Sequence, residues 1–378
     1  MNFDFSDDEK ELRAEAQRFL RDQCPLSRVR AALESGTDYD ASLWRAIAAL
    51  GWTGAIIPEA YGGLGMSHLD MCMLAEELGR SLAPLPTVPS MYIVTDALVQ
   101  FGTEDQKQRW LPLLASGEVI GTLAWAEGGG VPHSRNLATL GEGATVSGHK
   151  TPVPAGMIAR LAIVVARTGE GMGLRLIDLD GVGVTRTRIE SIDPTRGHAA
   201  LSFDGAPAEP LGGADGAGML ETILQRAAVP TAFEQVAGAE AALEMARTYA
   251  LERYAFGRPI GSFQAIKHKL ADIFVANTLA RSNSYYAVWA LSTGAPDLPV
   301  AAACARVSAC KAFDHAAQEN IHVHGGSGFT WDLDCHLYYR RARDLSLILG
   351  SPRAWKERVM SGLERQREAQ RQTARTTL

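Results

Sequence analysis

The sequence predicts an α+β multidomain chain: an N-terminal helical domain, a middle antiparallel β-barrel-like domain and a C-terminal four-helix bundle. Two switches of periodicity carry that reading. Near residue 119 the apolar pattern changes from helical spacing to short runs bounded by turn residues, and near residue 215 it changes back. The boundaries drawn from these switches are 1–118, 119–214 and 215–378. A chain of 378 residues is long enough to bury two or three cores.

In the first part, Ser6 followed by Asp7, Asp8 and Glu9 predicts a helix start, with Leu12, Ala16 and Phe19 at helical spacing behind it. The Gly/Pro-rich stretch Pro58-Glu-Ala-Tyr-Gly-Gly-Leu-Gly65 breaks the pattern before a Met/Leu-rich helix over 68–80. Thr103 caps a further helix that carries Trp110, Leu111 and Leu114 on one side. In the middle part, the runs 161–166, 174–178 and 182–187 read as strands, and the Gly/Ala/Asp stretch 212–218 closes the domain. In the last part, Ile266, Leu270, Ile273 and Phe274 form the stripe of a half-buried helix. The Ala-rich stretches 227–247 and 301–317 suit close helix packing, and 293–299 separates two long helices.

Composition excludes several function classes. Apolar residues make up 46% and charged residues 21%, and the net charge is −6, so nothing in the balance calls for nucleic acid or an anionic membrane. The five cysteines (Cys24, Cys72, Cys304, Cys310, Cys335) are scattered without CxxC spacing, which predicts free thiols in a reducing compartment. The N-terminus lacks the basic region and apolar core of a secretory leader, and no apolar run approaches a membrane span of about 20 residues. A cytoplasmic protein is expected. His322, His324, Cys335 and His336 have no acid arranged with them as a metal set, so no metal is expected. Ser351 with His324 lacks a nucleophile-elbow pattern, and Gly128-Gly-Gly130 lacks the Lys-Ser/Thr of a phosphate loop.

The chemistry-bearing segments are PEAYGGLG (58–65), LERYAFGRPIGSFQAIKHKLAD (251–272), HVHGGSGF (322–329) and HLYYRRAR (336–343). In this order and spacing they resemble the acyl-CoA dehydrogenases over nearly the whole chain. The resemblance implies FAD, held by Arg253 at its pyrophosphate, by Phe256, Phe263 and Gln264, by His322 and the glycines Gly325 and Gly326, and by Ser351. A guanidinium suits a diphosphate because its fork donates charge-assisted hydrogen bonds. For Arg253 the competing reading is a surface ion pair with Glu252 or another neighbour. The resemblance also implies a site between subunits, hence a homotetramer or a homologous partner chain, an acyl-CoA substrate and electron transfer to an electron-transfer flavoprotein.

Three departures stand out. The family's glutamine is His322 here, and its Thr-Glu-Pro loop over the flavin is Ala126-Glu-Gly-Gly-Gly-Val-Pro-His133, without the threonine hydroxyl. Its tryptophan–threonine strand corresponds to Pro152 and Pro154, which donate no backbone hydrogen bond. The family's proton-abstracting glutamate corresponds to Leu349, and the alternative seat used by some members falls near Ala227, with Ala228 beside it. Leucine and alanine accept no proton. Glu234, two turns beyond Ala227, is a weak substitute that reads more simply as a helix glutamate paired within the bundle, and Glu127 matches a family position that is not the base.

The segments 232–244, 193–196, 336–343 and 349–359 further resemble the base-less subunits of heteromeric acyl-CoA dehydrogenases, many of which act on bulky or steroid side-chain thioesters. The expectation is therefore a subunit that takes part in α,β-desaturation together with a base-bearing chain. The alternatives are a non-catalytic acyl-CoA- or flavin-binding scaffold and a homo-oligomeric flavoenzyme whose reaction needs no base.

Overall fold

Helix starts follow side-chain caps. At Ser6 the hydroxyl accepts from the Glu9 N–H while the Glu9 carboxylate accepts from the Ser6 N–H, opening α1 (Asp7–Gln23). After α2 (Leu26–Ser35), Asp40 caps α3 (Ala41–Ala49), and a Ser67/Asp70 box opens α4 (His68–Arg80). A fully buried π-helix spans Thr87–Thr95 and runs into α5 (Asp96–Phe101), and a Thr103/Gln106 box opens α6 (Glu104–Ala115). The computed structural model describes residues 6–128, 136–169 and 171–376, with side chains through 368. These fall into two compact units, Met1–Ala227 and Ala228–Leu378.

The first unit continues into a sheet built from β1 (Gly121–Ala124), β2 (Leu140–Glu142), β3 (Thr145–Pro154), β4 (Leu161–Thr168), β5 (Gly171–Asp178), β6 (Val184–Ile189), β7 (His198–Pro207) and β8 (Glu209–Pro210). The order is β6-β7-β3-β2-β4-β5-β8, with β1 also on β4. Leu161–Ala166 of β4 is buried on both faces, which explains its unbroken apolar run. Most pairs are antiparallel as the short spacing predicts, but β1 and β2 pair with β4 in parallel. For β1 the reason is its connection: the β2–β3 hairpin intervenes before β4, supplying the long crossover that parallel pairing needs. Pro152 falls where the β3–β7 register shifts, between Lys150 and Val153, a place that needs no N–H from it.

A buried ion pair ties the helices of this unit. Arg226, in the first part of α7 (Gly216–Glu252), donates through Nε and Nη2 to Asp96 at 2.6 and 2.8 Å, and Nη2 also lies 2.8 Å from His68 Nε2. Burial depresses the His68 imidazole below its usual range against the upward pull of Asp96, so His68 is suited to accept this bond as the neutral ring.

The second unit holds the rest of α7, a short hairpin of β9 (Tyr254–Ala255) and β10 (Arg258–Pro259), then α8 (Gln264–Thr293), α9 (Leu298–His324), α10 (Cys335–Leu347) and α11 (Pro352–Thr376). Phe233, Phe313 and Trp355 are fully enclosed in it. Gly238 permits close approach of α7 and α9, since a Cβ there would stand 2.5 Å from the Phe313 ring. Among the described residues no helix is long and apolar enough to cross a membrane.

Removing one partner of the Asp96–Arg226 pair leaves a largely buried charge alone. Asp96→Ala is expected to lower the unfolding free energy by about 3 kcal/mol, measured by urea titration followed by circular dichroism.

Candidate functional site

The two glycine- and arginine-bearing motifs meet at one end of the second unit. Ala246 and Ala250 of α7 pack with Val323 of α9, and Tyr249, Ile260, Ile266 and Leu270 close around them. Small residues let the helices approach there, so the chain segments leaving them emerge side by side.

Arg253 is the first residue past α7. Its N–H donates to the Tyr249 carbonyl and its carbonyl accepts from the Ile260 N–H, each at 2.8 Å. Its side chain is exposed and has no hydrogen bond or ion pair among the described residues. Phe256 and Gly257 form the two-residue loop of the hairpin, with φ of 51° and 77°, the signs that a type I′ turn requires. A bulky side chain seldom tolerates positive φ, yet Phe256 holds it with its ring 96% exposed. Phe263, the residue before α8, stands edge-on to Phe256 at 6.2 Å and carries the Arg258 guanidinium 4.0 Å from its ring centre. Gln264 opens α8, whose start has no side-chain cap. Free N–H groups at a helix start favour anions.

On the neighbouring segment, His322 Nδ1 lies 3.3 Å from Glu319 Oε2, and Lys269 of α8 donates to the same oxygen. Burial pushes the Glu319 carboxyl up, but Lys269 and His322 together hold it below its ordinary value. Gly325 ends α9 at φ 62° and ψ −139°, a conformation open essentially to glycine. A Cβ on Gly325 or Gly326 would meet no heavy atom within 4 Å, so the space over both is clear. Beside them opens a pocket of about 430 Å³ whose walls include Ile321, His322, Phe329, Trp331, His336 and Arg340. Trp331 stacks on His336 at 4.7 Å, with the Arg340 guanidinium over the indole.

Leu349 is fully enclosed, and its carbonyl accepts from Trp355 Nε1 at 2.9 Å. Ser351 caps α11, its hydroxyl accepting from the Ala354 N–H at 3.3 Å. Upstream, the buried Arg306 guanidinium donates to the Leu345 carbonyl and to Gln235 Oε1, fastening the last turn of α10 to α7. Glu234 is fully buried in the bundle interior, within the electrostatic reach of Arg306. Ala227 and Ala228 are likewise buried.

In the first unit, Glu127 is firmly engaged. Its carboxylate accepts from Lys150 Nζ at 2.6 Å, from the Ala138 N–H at 2.7 Å and from the Thr139 N–H at 3.0 Å. Burial pushes this carboxyl up, but Lys150 and the two backbone donors outweigh it and hold it at about 2. Such a group stays ionised and is poorly suited to carry a proton. Lys150 was not singled out by sequence, although a lysine within a strand otherwise alternating toward the core was the available signal. Residues 129–133 of the Ala126–His133 loop lie outside the described residues. Among the described residues no group of three metal-ligating side chains is present.

The family model of the acyl-CoA dehydrogenase N-terminal domain matches residues 6–118, and that of the C-terminal domain matches 214–363. The protein "Acyl-CoA dehydrogenase IpdE2" of Mycobacterium tuberculosis is 35% identical over 334 residues, 88% of this chain and 90% of that protein. The chain belongs to the acyl-CoA dehydrogenase family. Among solved structures, a variant of the Tcur3481-Tcur3483 steroid ACAD is 31% identical with a TM-score of 0.87, covering 96% of this chain and 99% of that one. The ChsE4-ChsE5 complex from Mycobacterium tuberculosis is 26% identical with a TM-score of 0.87 and the same coverage. The cofactor of acyl-CoA dehydrogenases is FAD. The residues at this end of the bundle fit such a dinucleotide: a guanidinium without a protein partner among the described residues, an uncapped helix start and two glycines under open space.

For this member of the family, Gly325→Ala is expected to cost about 2 kcal/mol through backbone conformation alone, read as a lower urea midpoint with an unchanged slope. The Glu127 carboxyl, at about 2 in the fold against 4.5 for the ordinary group, contributes stability that is complete above the ordinary value and drains away as the pH falls through that interval. Urea titrations across this range should show an acid limb that flattens in Glu127→Gln.

Proposed function

We propose that the chain is the base-less subunit of an FAD-dependent acyl-CoA dehydrogenase and works in α,β-desaturation of an acyl-CoA thioester with a homologous, base-bearing partner. The observation that carries this is Leu349. Its side chain is sealed in the turn where the family places its proton acceptor, and alanine occupies the alternative seat. Bound FAD supplies hydride acceptance from the β-carbon.

This chain's residues bind and orient. Arg253 and the start of α8 at Gln264 would hold the diphosphate, Phe256 and Phe263 would serve the adenosine half, and His322, Gly325 and Gly326 would offer it a polar edge and open backbone. Ser351 keeps the following helix in step as its cap. The α-proton passes to a carboxylate of the partner chain, because Glu234 is buried near Arg306 and Glu127 is occupied by Lys150. Relatives whose names describe a steroid dehydrogenase and a complex of two chains support a bulky, steroid-like acyl group and a heteromeric assembly. The electron acceptor is an electron-transfer flavoprotein. Four copies of this chain alone are the simpler assembly against which that reading is tested.

The test is purification of the chain alone and after co-expression with neighbouring gene products, followed by the visible spectrum and its bleaching by an acyl-CoA. A complex that bleaches while the lone chain does not is the expected result. A lone yellow homotetramer that bleaches would overturn it in favour of a base-independent flavoenzyme, and colourless preparations in both cases would favour a non-redox scaffold. Within the complex, Arg253→Ala is expected to weaken FAD binding about ten- to hundred-fold, the loss of charge-assisted hydrogen bonds, measured by flavin fluorescence titration.

A further inference from the structure

The segment HVHGGSGF carries two histidines, and the structure gives them different surroundings. His322 is exposed beside Glu319, whereas His324, the last residue of α9, is only 7% exposed. The His324 ring stacks on Tyr249 of α7, with the centroids 4.1 Å apart and the planes 28° from parallel. Its Nδ1 donates to the Asn320 carbonyl at 2.8 Å, one turn back, which pins the ring to its own helix. Tyr249 is half-buried against Ala246, Ala250 and Val323. The Tyr249 hydroxyl has no hydrogen-bond partner among the described residues.

This stack stands at the base of both motifs. The Tyr249 carbonyl accepts the Arg253 N–H at 2.8 Å, one turn further on. His324 is followed directly by Gly325, where the chain turns at φ 62° under open space. The alanine–valine contact brings α7 and α9 together, and two rings already in van der Waals contact stop them from closing further. An aliphatic side chain at position 324 would fill the same space with no N–H to satisfy. A flat ring pinned to its own helix adds what such a chain lacks, a fixed spacing and orientation between the two segments.

We propose that Tyr249 and His324 are positioning residues, whose stack sets the spacing between the Arg253 segment and the Gly325–Gly326 backbone. That spacing in turn sets the affinity of this end of the bundle for a dinucleotide diphosphate, since hydrogen bonds to a ligand held from two segments weaken steeply with misplacement. The inference rests on the FAD reading above. It goes beyond that reading by assigning the spacing of the site to two rings that are given no contact with the cofactor.

The test uses the full chain, in its co-expressed complex where one forms, stripped of flavin. The probe is ADP, which carries the diphosphate and adenosine without the flavin, and its affinity is measured by titration calorimetry beside that of FAD. Circular dichroism follows folding and light scattering follows assembly. Among variants that fold and assemble as wild type, His324→Leu and Tyr249→Leu should bind ADP and FAD about ten-fold more weakly, by the same factor for each ligand. His324→Phe and Tyr249→Phe, which keep two stacked rings, should bind as wild type. Added to Arg253→Ala, His324→Leu should weaken binding little further, because the guanidinium whose place the stack sets is already gone. Leucine variants that melt earlier yet keep wild-type affinity for ADP make the stack only structural and overturn the proposal. A loss that phenylalanine does not restore, or that adds in full to Arg253→Ala, overturns it as well. Should the leucine variants not fold or assemble, His324→Gln, which keeps an N–H for the Asn320 carbonyl but loses the ring, decides by the same titrations. A wild-type protein that binds neither ADP nor FAD in any assembly fails the cofactor reading itself, and the positioning proposal falls with it.

Discussion

The contact of Ala246 and Ala250 with Val323 is the constraint on which the candidate site depends. Larger side chains at these positions would push α7 and α9 apart, and the segments that follow each helix would separate with them. Because the contact is close, Arg253 and its hairpin emerge beside His322 and Gly325, although about 70 residues lie between the two motifs in the chain. Gly238 serves the same closeness further along α7, where the Phe313 ring occupies the place of a Cβ. Packing by small residues thus does for this end of the bundle what a binding loop does in other folds.

The turn at Leu349 is held from three sides. Arg306 fastens the helix before it, Trp355 Nε1 holds the Leu349 carbonyl, and Ser351 caps the helix after it. A carboxylate in that enclosed seat would carry a raised proton affinity, the property a base needs. Leucine fills that space without a group that could accept a proton. The frame around that turn fixes the shape of this part of the C-terminal bundle.

Much of this architecture was legible beforehand, and for identifiable reasons. The caps at Ser6 and Thr103 are local hydrogen-bond chemistry, fully written in four residues each. The strand at Leu161–Ala166 was visible as an apolar run, and the break at 293–299 falls between two long helices. The parallel pairing of β1 with β4 was not legible, since strand direction depends on a connection whose path is a tertiary property. The candidates Arg253, Gly325 and Gly326 come from sequence motifs, and the structure brings the segments that carry them to one end of the bundle. Arg306 was not legible, because a buried charge on a helix is distinguished from a surface one only by what surrounds it, and its partners lie 71 and 39 residues away.

The strained turn at Phe256 has a consequence for the economy of the cell. Its benzyl group stands exposed on a two-residue loop, with only the edge-on Phe263 ring beside it among the ring contacts of the described residues. Water tolerates one such ring, at roughly 2 kcal/mol relative to a covered one, but every orphaned copy of the chain displays the same adhesive point. If an assembly of the kind proposed above covers that ring, synthesis of its chains in matched number becomes a matter of proteostasis as well.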